Sequence, residues 1–179
     1  MAARLTLISV PTGNDRRAPH FPGRDRLDLP AEGLPEAVSR CLADADRLVH
    51  PPEIAIGAGH PAPVETTKAL SDLDYGNWTN RAIADIAGAE PAAFELWRTD
   101  MTAAPHGGES FAVARQRVGR WLASLAETPV VALCPTTIVR LALVTALEAP
   151  LPLIWRLDPM PWSATELTRH GGRWALRLT

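Results

Sequence analysis

The chain has 179 residues, 46% of them hydrophobic, and a formal net charge of −2. This length suits one domain with a sizeable core, and the near-neutral charge gives no electrostatic reason to expect nucleic acid or an anionic membrane as a partner. No run of about 18 apolar residues is present, and the first residues lack a signal-peptide pattern, so a cytoplasmic protein without a membrane partner is expected. Cys41 and Cys134 are expected to be free thiols.

The N-terminal third predicts two buried strands separated by a long loop and a helix. Residues 4–10 are apolar and partly β-branched, which predicts a strand that Pro11 ends. Residues 11–31 are rich in proline, glycine and charged residues and predict a loop, and a loop of this length is more often functional than filler. Apolar residues at helical spacing predict a helix over 34–47, and residues 53–58 predict the second strand.

Short helices and loops are predicted in the middle of the chain. The predicted elements are a helix over 64–70, a polar and aromatic loop over 72–78, helices over 81–87 and 92–97, and a loop over 99–108. Proline is favourable at the first helical position, so Pro63 supports the helix over 64–70.

The last third carries the clearest elements. Residues 110–125 predict an amphipathic helix, residues 130–134 predict a buried strand, and residues 138–147 predict the next helix. Two strands over 163–168 and 173–178 follow, joined by a turn at Gly171 and Gly172.

Strands alternate with helices along the chain, and the connections between neighbouring strands are long. This pattern predicts an α/β fold with three layers, α/β/α, in which a mostly parallel sheet gains an antiparallel edge from the final hairpin. No internal repeat or linker divides the sequence, so residues 1–179 are expected to form one domain.

Several short motifs occur in a characteristic order. Residues 72–78 are similar to a Glu-x-x-x-Gly-x-Trp segment, Gly108-Glu109-Ser110 to a Gly-Glu-Ser helix start, and residues 131–140 to a strand and helix that carry a second histidine. The loop over 23–33 and the last strands also match. Together they resemble branch 1 of the histidine phosphatase superfamily over nearly the whole chain, which implies a phosphoglycerate mutase-like fold.

The resemblance implies a nucleophilic histidine that carries the phosphoryl group, a second histidine, two arginines that bind phosphate oxygens, and an acid. In the alignment the nucleophile falls on Val10, the second histidine on Pro135 and one arginine on Ala62, whereas Asp72 keeps a carboxylate at the acid position. Valine has no lone pair to attack phosphorus. The expectation is therefore a pseudoenzyme with degenerate catalytic residues that is neither an active phosphatase nor a mutase.

Three functions remain open at this point. The first is a cleft repurposed to bind a small molecule or a protein partner. The second is an enzyme of another reaction type with Asp72 as general acid or base, together with His60, Tyr75 or Cys134. The third is phosphatase activity through a phosphoenzyme on Cys134. Arg16, Arg17 and Arg140 are the candidate cations near the cleft.

Under this topology the cleft lies at the carboxyl ends of the parallel strands. The candidate catalytic residues are Asp72, His60 and Cys134, and the candidate ligand-binding residues are Thr12, Tyr75, Trp78, Glu109, Thr136 and Thr137. The other histidines are scattered without metal-ligand spacing, so no metal site and no cofactor are expected. Six tryptophans in so short a chain are consistent with a homodimer.

Overall fold

A computed structural model describes residues 3–11, 19–23, 25–30, 32–57 and 60–178. The strands are β1 Ala3–Val10, β2 Leu27–Asp28, β3 Leu48–His50, β4 Ile54–Ala55, β5 Val64–Thr66, β6 Val130–Pro135, β7 Ala164–His170 and β8 Arg173–Arg177. The helices are α1 Glu36–Ala43, α2 Ile83–Ala89, α3 Pro91–Thr99, α4 Phe111–Ser124 and α5 Thr136–Ala146, and 3-10 turns cover Lys68–Leu70, Gly76–Trp78 and Leu151–Arg156.

Six strands form the main sheet, in the order β5-β3-β6-β1-β7-β8. The first four are parallel, whereas β7 pairs antiparallel with β1 and β8 pairs antiparallel with β7. The pairing of β1 with β6 runs from Leu5 opposite Val130 to Val10 opposite Pro135. The predicted mostly parallel sheet with an antiparallel edge is confirmed.

The core lies on both faces of this sheet because successive side chains of a strand point in opposite directions. Leu5 and Leu7 of β1 belong to a cluster that contains the buried sides of α4 and α5. Ile8 and Val10 belong to a second cluster that contains Val38 of α1. Helices therefore cover both faces, which gives the three layers.

The two helices next to the site follow local rules. At the start of α4, the side chain of Ser110 accepts a hydrogen bond from the backbone N–H of Val113 at 3.3 Å. One face of α4 is buried, through Phe111, Ala114, Val118, Trp121 and Leu122. Helix α5 begins directly after the last residue of β6, so its first turn lies at the carboxyl edge of the sheet. Of the helices in the described ranges, none is long and apolar enough to cross a membrane.

Two predicted elements are wrong. Among the described residues of the strand predicted over 53–58, only Ile54–Ala55 forms a strand, and it pairs with β2 outside the main sheet. The main sheet instead contains Leu48–His50 as β3. The sequence did not predict this strand because three residues before a proline pair are too few to show the alternation of a strand. Residues 64–66 form β5 rather than a helix, since the N–H of Leu48 donates to the carbonyl of Pro63 at 2.9 Å and continues the parallel ladder.

Candidate functional site

A cleft of about 950 Å³ opens where β1 and β6 end. Pro11 and Pro135, at the ends of those strands, form its floor. Two short segments, residues 71–74 and residues 107–110, form one wall. The carboxyl ends of parallel strands are the usual ligand site of an α/β sheet. The cleft is therefore the candidate active site.

His20 is also among the residues that line this cleft. The segment that carries it lies antiparallel to the chain before α2: Phe21 N–H donates to the carbonyl of Arg81 at 3.0 Å, and Ile83 N–H donates to the carbonyl of Pro19 at 2.9 Å. These backbone bonds on either side hold the position of His20 relative to the helical half of the molecule.

Asp72 lines the same cleft, on the wall that follows the 3-10 turn Lys68–Leu70. Its Oδ1 accepts a hydrogen bond from the N–H of Leu73 at 2.8 Å, and the residue is half-buried. The structure therefore brings the predicted acid together with a histidine that the sequence did not single out.

Arg117 of α4 fixes the segment that leads to Asp72. Its guanidinium makes a two-point contact with Glu109, with Nε to Oε1 at 3.0 Å and Nη2 to Oε2 at 2.7 Å. Its Nη1 also donates to the carbonyl oxygens of Lys68, Ala69 and Ser71, at 3.2, 2.8 and 3.0 Å. The two charged side chains are only 19% and 16% exposed, so the pair is largely desolvated. Glu109 thus lies in the cleft wall as an ion-paired residue.

A backbone crossing closes the same wall. The N–H of Glu109 donates to the carbonyl of Asp74 at 2.7 Å, and the N–H of Asn77 donates to the carbonyl of His106 at 2.9 Å. The two backbone segments of this crossing approach so closely that a Cβ on Gly108 would overlap with the carbonyl oxygen of Asp74. Glycine is needed there for space.

His106 lies beneath this crossing and is 1% exposed. Its Nδ1 accepts a hydrogen bond from the N–H of Gly108 at 3.0 Å, and its ring centre is 5.2 Å from that of Trp78. Nε2 is buried with no hydrogen-bond partner among the described residues. Burial lowers the pKa of His106 below its usual 6.5, and the charge of Asp74 opposes this shift only in part.

We therefore expect the free energy of unfolding to fall as the pH falls from 6.5 through the folded-state pKa of His106. Above 6.5 both states hold a neutral imidazole, whereas below it the unfolded chain takes up a proton that the folded chain does not. The contribution of this one group is at most about 1.4 kcal/mol per pH unit. Urea unfolding of the protein and of His106→Asn, at a series of pH values from 7.5 to 5.5, measures it. The pH dependence should be shallower in the variant, and equal slopes would contradict this account.

The other predicted catalytic residues do not reach the cleft. Cys134 is fully buried beneath it, its thiol is directed toward the carbonyl of Ala132 at 3.8 Å, and burial raises its pKa far above the usual range. Its side chain lines neither the cleft nor the second cavity, so the described structure offers no support for the predicted nucleophile role. His60 accepts a hydrogen bond from the N–H of Ala62 at 3.2 Å and lines no cavity described here. Thr12 lies outside the described residues.

Three predicted ligand residues line a second cavity of about 320 Å³ instead: Tyr75, Thr136 and Thr137. This cavity shares Pro11, His20 and Phe21 with the cleft, so the two lie side by side. Trp78 lines neither of them. It is fully buried in the core, where its Nε1 donates to Glu90 at 3.0 Å.

The described residues that line the cleft are more acidic than basic. The acidic ones are Asp25, Glu53, Asp72, Asp74 and Glu109, and the basic ones are Arg26, Lys68 and Arg117. Among the described residues no group of three or more His, Cys, Asp and Glu side chains is arranged to hold a metal ion. The candidate cations Arg16 and Arg17 lie outside the described residues, and Arg140 lines the second cavity.

The model of the histidine phosphatase superfamily, branch 1, matches residues 47–179. The chain belongs to this superfamily. A glucosyl-3-phosphoglycerate phosphatase of Mycolicibacterium vanbaalenii is 30% identical over 89 residues, which cover 49% of this chain and 40% of that protein. An adenosylcobalamin/alpha-ribazole phosphatase of Escherichia coli K12 is 23% identical over 134 residues, which cover 71% of this chain and 66% of that protein. The matches therefore span less than two thirds of either relative.

Solved structures share the fold of this histidine phosphatase family member. A mycobacterial glucosyl-3-phosphoglycerate phosphatase in complex with VO3 superposes with a TM-score of 0.79 at 23% identity, covering 98% of each chain. A structure titled as an alpha-ribazole-5'-P phosphatase of Escherichia coli K-12 superposes with a TM-score of 0.77 at 18% identity, covering 99% of this chain and 96% of that one. The phosphoglycerate mutase-like α/β fold is confirmed.

These comparisons correct the functional expectation. A pseudoenzyme with a repurposed cleft, or an enzyme of another type built on Asp72, was expected, but the relatives are named phosphatases and nothing in the comparisons shows a loss of catalytic residues. The alignment of the family's nucleophilic histidine with Val10 also does not establish that the chain lacks a nucleophile. Val10 is fully buried in the cluster on the α1 side, and the family match begins at residue 47, after the loop that carries His20.

The sequence missed the side chains that line the cleft beside Asp72 and Glu109, among them His20, Arg26 and Lys68. One signal was present: His20 is the only histidine of the long loop over 11–31, and long loops inside a domain are often functional. The basic side chains had no motif of their own, because they reach the cleft from segments far apart in the chain.

Proposed function

We propose that the protein hydrolyses phosphate monoesters of small molecules in the cleft at the carboxyl ends of β1 and β6. The observation that carries this proposal is that His20 and Asp72, an imidazole and a carboxyl group, line the same cleft. The family to which the chain belongs, and the names of the relatives, support the same reaction class.

In this proposal His20 is the phosphoryl acceptor and Asp72 is the proton donor. An imidazole nitrogen of His20 attacks phosphorus, a P–N bond forms as the P–O bond to the leaving group breaks, and the Asp72 carboxyl gives its proton to the leaving oxygen. Water then attacks the phosphohistidine, its proton passes to the Asp72 carboxylate, and inorganic phosphate leaves. Arg26 and Lys68 supply positive charge toward the phosphate oxygens.

The charge of the cleft predicts which form of the substrate reacts. Its described lining holds five acidic and three basic side chains, so a dianionic ester is repelled more than a monoanionic one. The second pKa of a phosphate monoester is about 6. Turnover should therefore rise as the pH is lowered from 8 toward 6, because the fraction of monoanionic ester increases over this range.

Turnover of p-nitrophenyl phosphate by the purified protein, followed from pH 5 to pH 8, tests the proposal. His20→Gln and Asp72→Asn should each lower kcat by about 100-fold or more, because one removes the acceptor and the other the proton donor. His60→Gln is the matched control, since His60 lines neither cavity, and it should leave the rate unchanged.

An absence of turnover at every pH would overturn the proposal. Turnover that survives both His20→Gln and Asp72→Asn would also overturn it, because the reaction would then proceed elsewhere. The phosphate esters after which the two relatives are named, glucosyl-3-phosphoglycerate and alpha-ribazole phosphate, are the first specific substrates to compare by kcat/KM.

A cytoplasmic location and a homodimer belong to the proposal as well. Cys41 and Cys134 are both free, which suits a reducing compartment. Leu153 is 37% exposed on the 3-10 turn that precedes the final hairpin, and Met160 just after it is 66% exposed, and such apolar residues suit a contact between subunits. Sedimentation equilibrium gives the subunit number directly.

A further inference from the structure

Trp155 forms a rigid aromatic wall of the second cavity, although much of its side chain is exposed. Trp155 is 43% exposed, yet its Nε1 donates to the carbonyl of Arg98 at 3.2 Å. Its ring also packs edge-on against Trp97 and Phe111, with ring centres 5.3 and 5.2 Å apart. A tryptophan held in this way keeps one apolar surface open beside the cavity, where a flat group can stack at little entropic cost.

Arg140 of α5 supplies the charge of this cavity. Its Nη2 donates to Asp158 at 3.2 Å, but the Asp158 side chain is 89% exposed, so this pair is easily replaced. Its Nε is buried and has no hydrogen-bond partner among the described residues. An unpaired buried donor is unfavourable, and an incoming acceptor removes that cost.

No carboxylate is among the described residues that line this cavity, whereas the neighbouring cleft has five. The other polar side chains of this described lining are those of His20, Tyr75, Thr136 and Thr137, none of which is a carboxylate. Tyr75 is buried and hydrogen-bonded to Thr137, and burial together with the charge of Asp72 raises its pKa well above the usual range, so it carries no negative charge. The described linings of the two cavities therefore differ in charge, although both include Pro11, His20 and Phe21.

We infer that the second cavity binds a planar organic carboxylate, with its ring against Trp155 and its carboxylate on Arg140. The volume of about 320 Å³ is within the range of small-molecule sites, and the combination of apolar walls with few polar groups is typical of them. The guanidinium is a planar donor that matches a carboxylate. This inference does not rest on the proposed phosphatase activity, since it concerns a different cavity and a binding measurement.

Calorimetric titration with 1-naphthoate, and with the neutral 1-naphthalenemethanol in parallel, tests the inference. We expect saturable binding of the carboxylate with a Kd of about 1 mM or tighter, and binding of the alcohol weaker by about tenfold or more. Arg140→Gln and Trp155→Ala should each weaken the binding of 1-naphthoate by about tenfold. Trp155 lies at the surface, so its variant keeps the test valid if the Arg140 variant fails to fold.

The matched controls are His60→Gln, at a residue that lines neither cavity, and Arg173→Gln, an arginine exposed on β8. Both should bind 1-naphthoate as the unaltered protein does. Equal affinity for the alcohol, or binding that persists in Trp155→Ala, would overturn the inference, as would an absence of saturable binding.

Discussion

Gly108→Ala should lower the free energy of unfolding by about 3 kcal/mol or more, because the added methyl group has no room. Its Cβ would overlap with the carbonyl oxygen of Asp74, which is backbone and cannot rotate away. The same carbonyl accepts a hydrogen bond from Glu109 N–H at 2.7 Å, so relief of the overlap would break the crossing that builds the cleft wall. Urea unfolding measures the loss, and turnover should fall with it.

Gly88→Ala is the matched control for this substitution. Gly88 lies exposed in α2, nothing is within 4 Å of an added Cβ, and its φ is not in the left-handed region. Alanine in place of glycine in a helix should stabilise the protein by about 0.5 kcal/mol. Equal effects of the two substitutions would mean that the crossing at Gly108 is looser than its geometry indicates.

Arg117→Ala should lower the free energy of unfolding by about 3 kcal/mol. The variant leaves Glu109 as a largely buried carboxylate without its partner, and it removes the donor from the carbonyls of Lys68, Ala69 and Ser71. An unpaired charge in a buried position is costly because it has lost its hydration without gaining a partner. Since these carbonyls precede Asp72, the variant should also lower kcat for a phosphate ester.

Arg40→Ala provides the comparison, because Arg40 pairs with Glu36 on the surface of α1, where the two side chains are 67% and 86% exposed. Its loss should change the free energy of unfolding by about 0.3 kcal/mol. The double variant Arg117→Ala with Glu109→Gln should recover part of the stability lost in Arg117→Ala, because the buried charge is removed. If the double variant loses as much free energy of unfolding as the two single variants, Arg117→Ala and Glu109→Gln, lose together, the ion pair itself contributes little.

The candidate site was only partly visible in the sequence. Asp72 and Glu109 could be found because each belongs to a short motif, and both line the cleft. His20 and Arg117 could not, because nothing local relates them to Asp72. The segment of His20 is held by backbone bonds to residues 81 and 83, and Arg117 reaches the carbonyls of residues 68–71 from α4.

The division of the site residues between two cavities could not be predicted from the sequence either. Tyr75 and Asp72 are three residues apart, yet they line different cavities, and no local pattern in the sequence separates them. Cys134 ends the clearest predicted strand, but the alternation of β6 directs its thiol into the core.

By itself the sequence determined the elements whose physics is local: the buried strands β1 and β6, helix α4, and the glycine turn before β8. Their apolar period and turn residues are read from neighbours in the chain. The tertiary structure decided the strands β3 and β5, which are too short to show a period and exist because they pair with other strands. It also decided which charges meet in the cleft, since those contacts join residues that only the folded sheet and helices bring together.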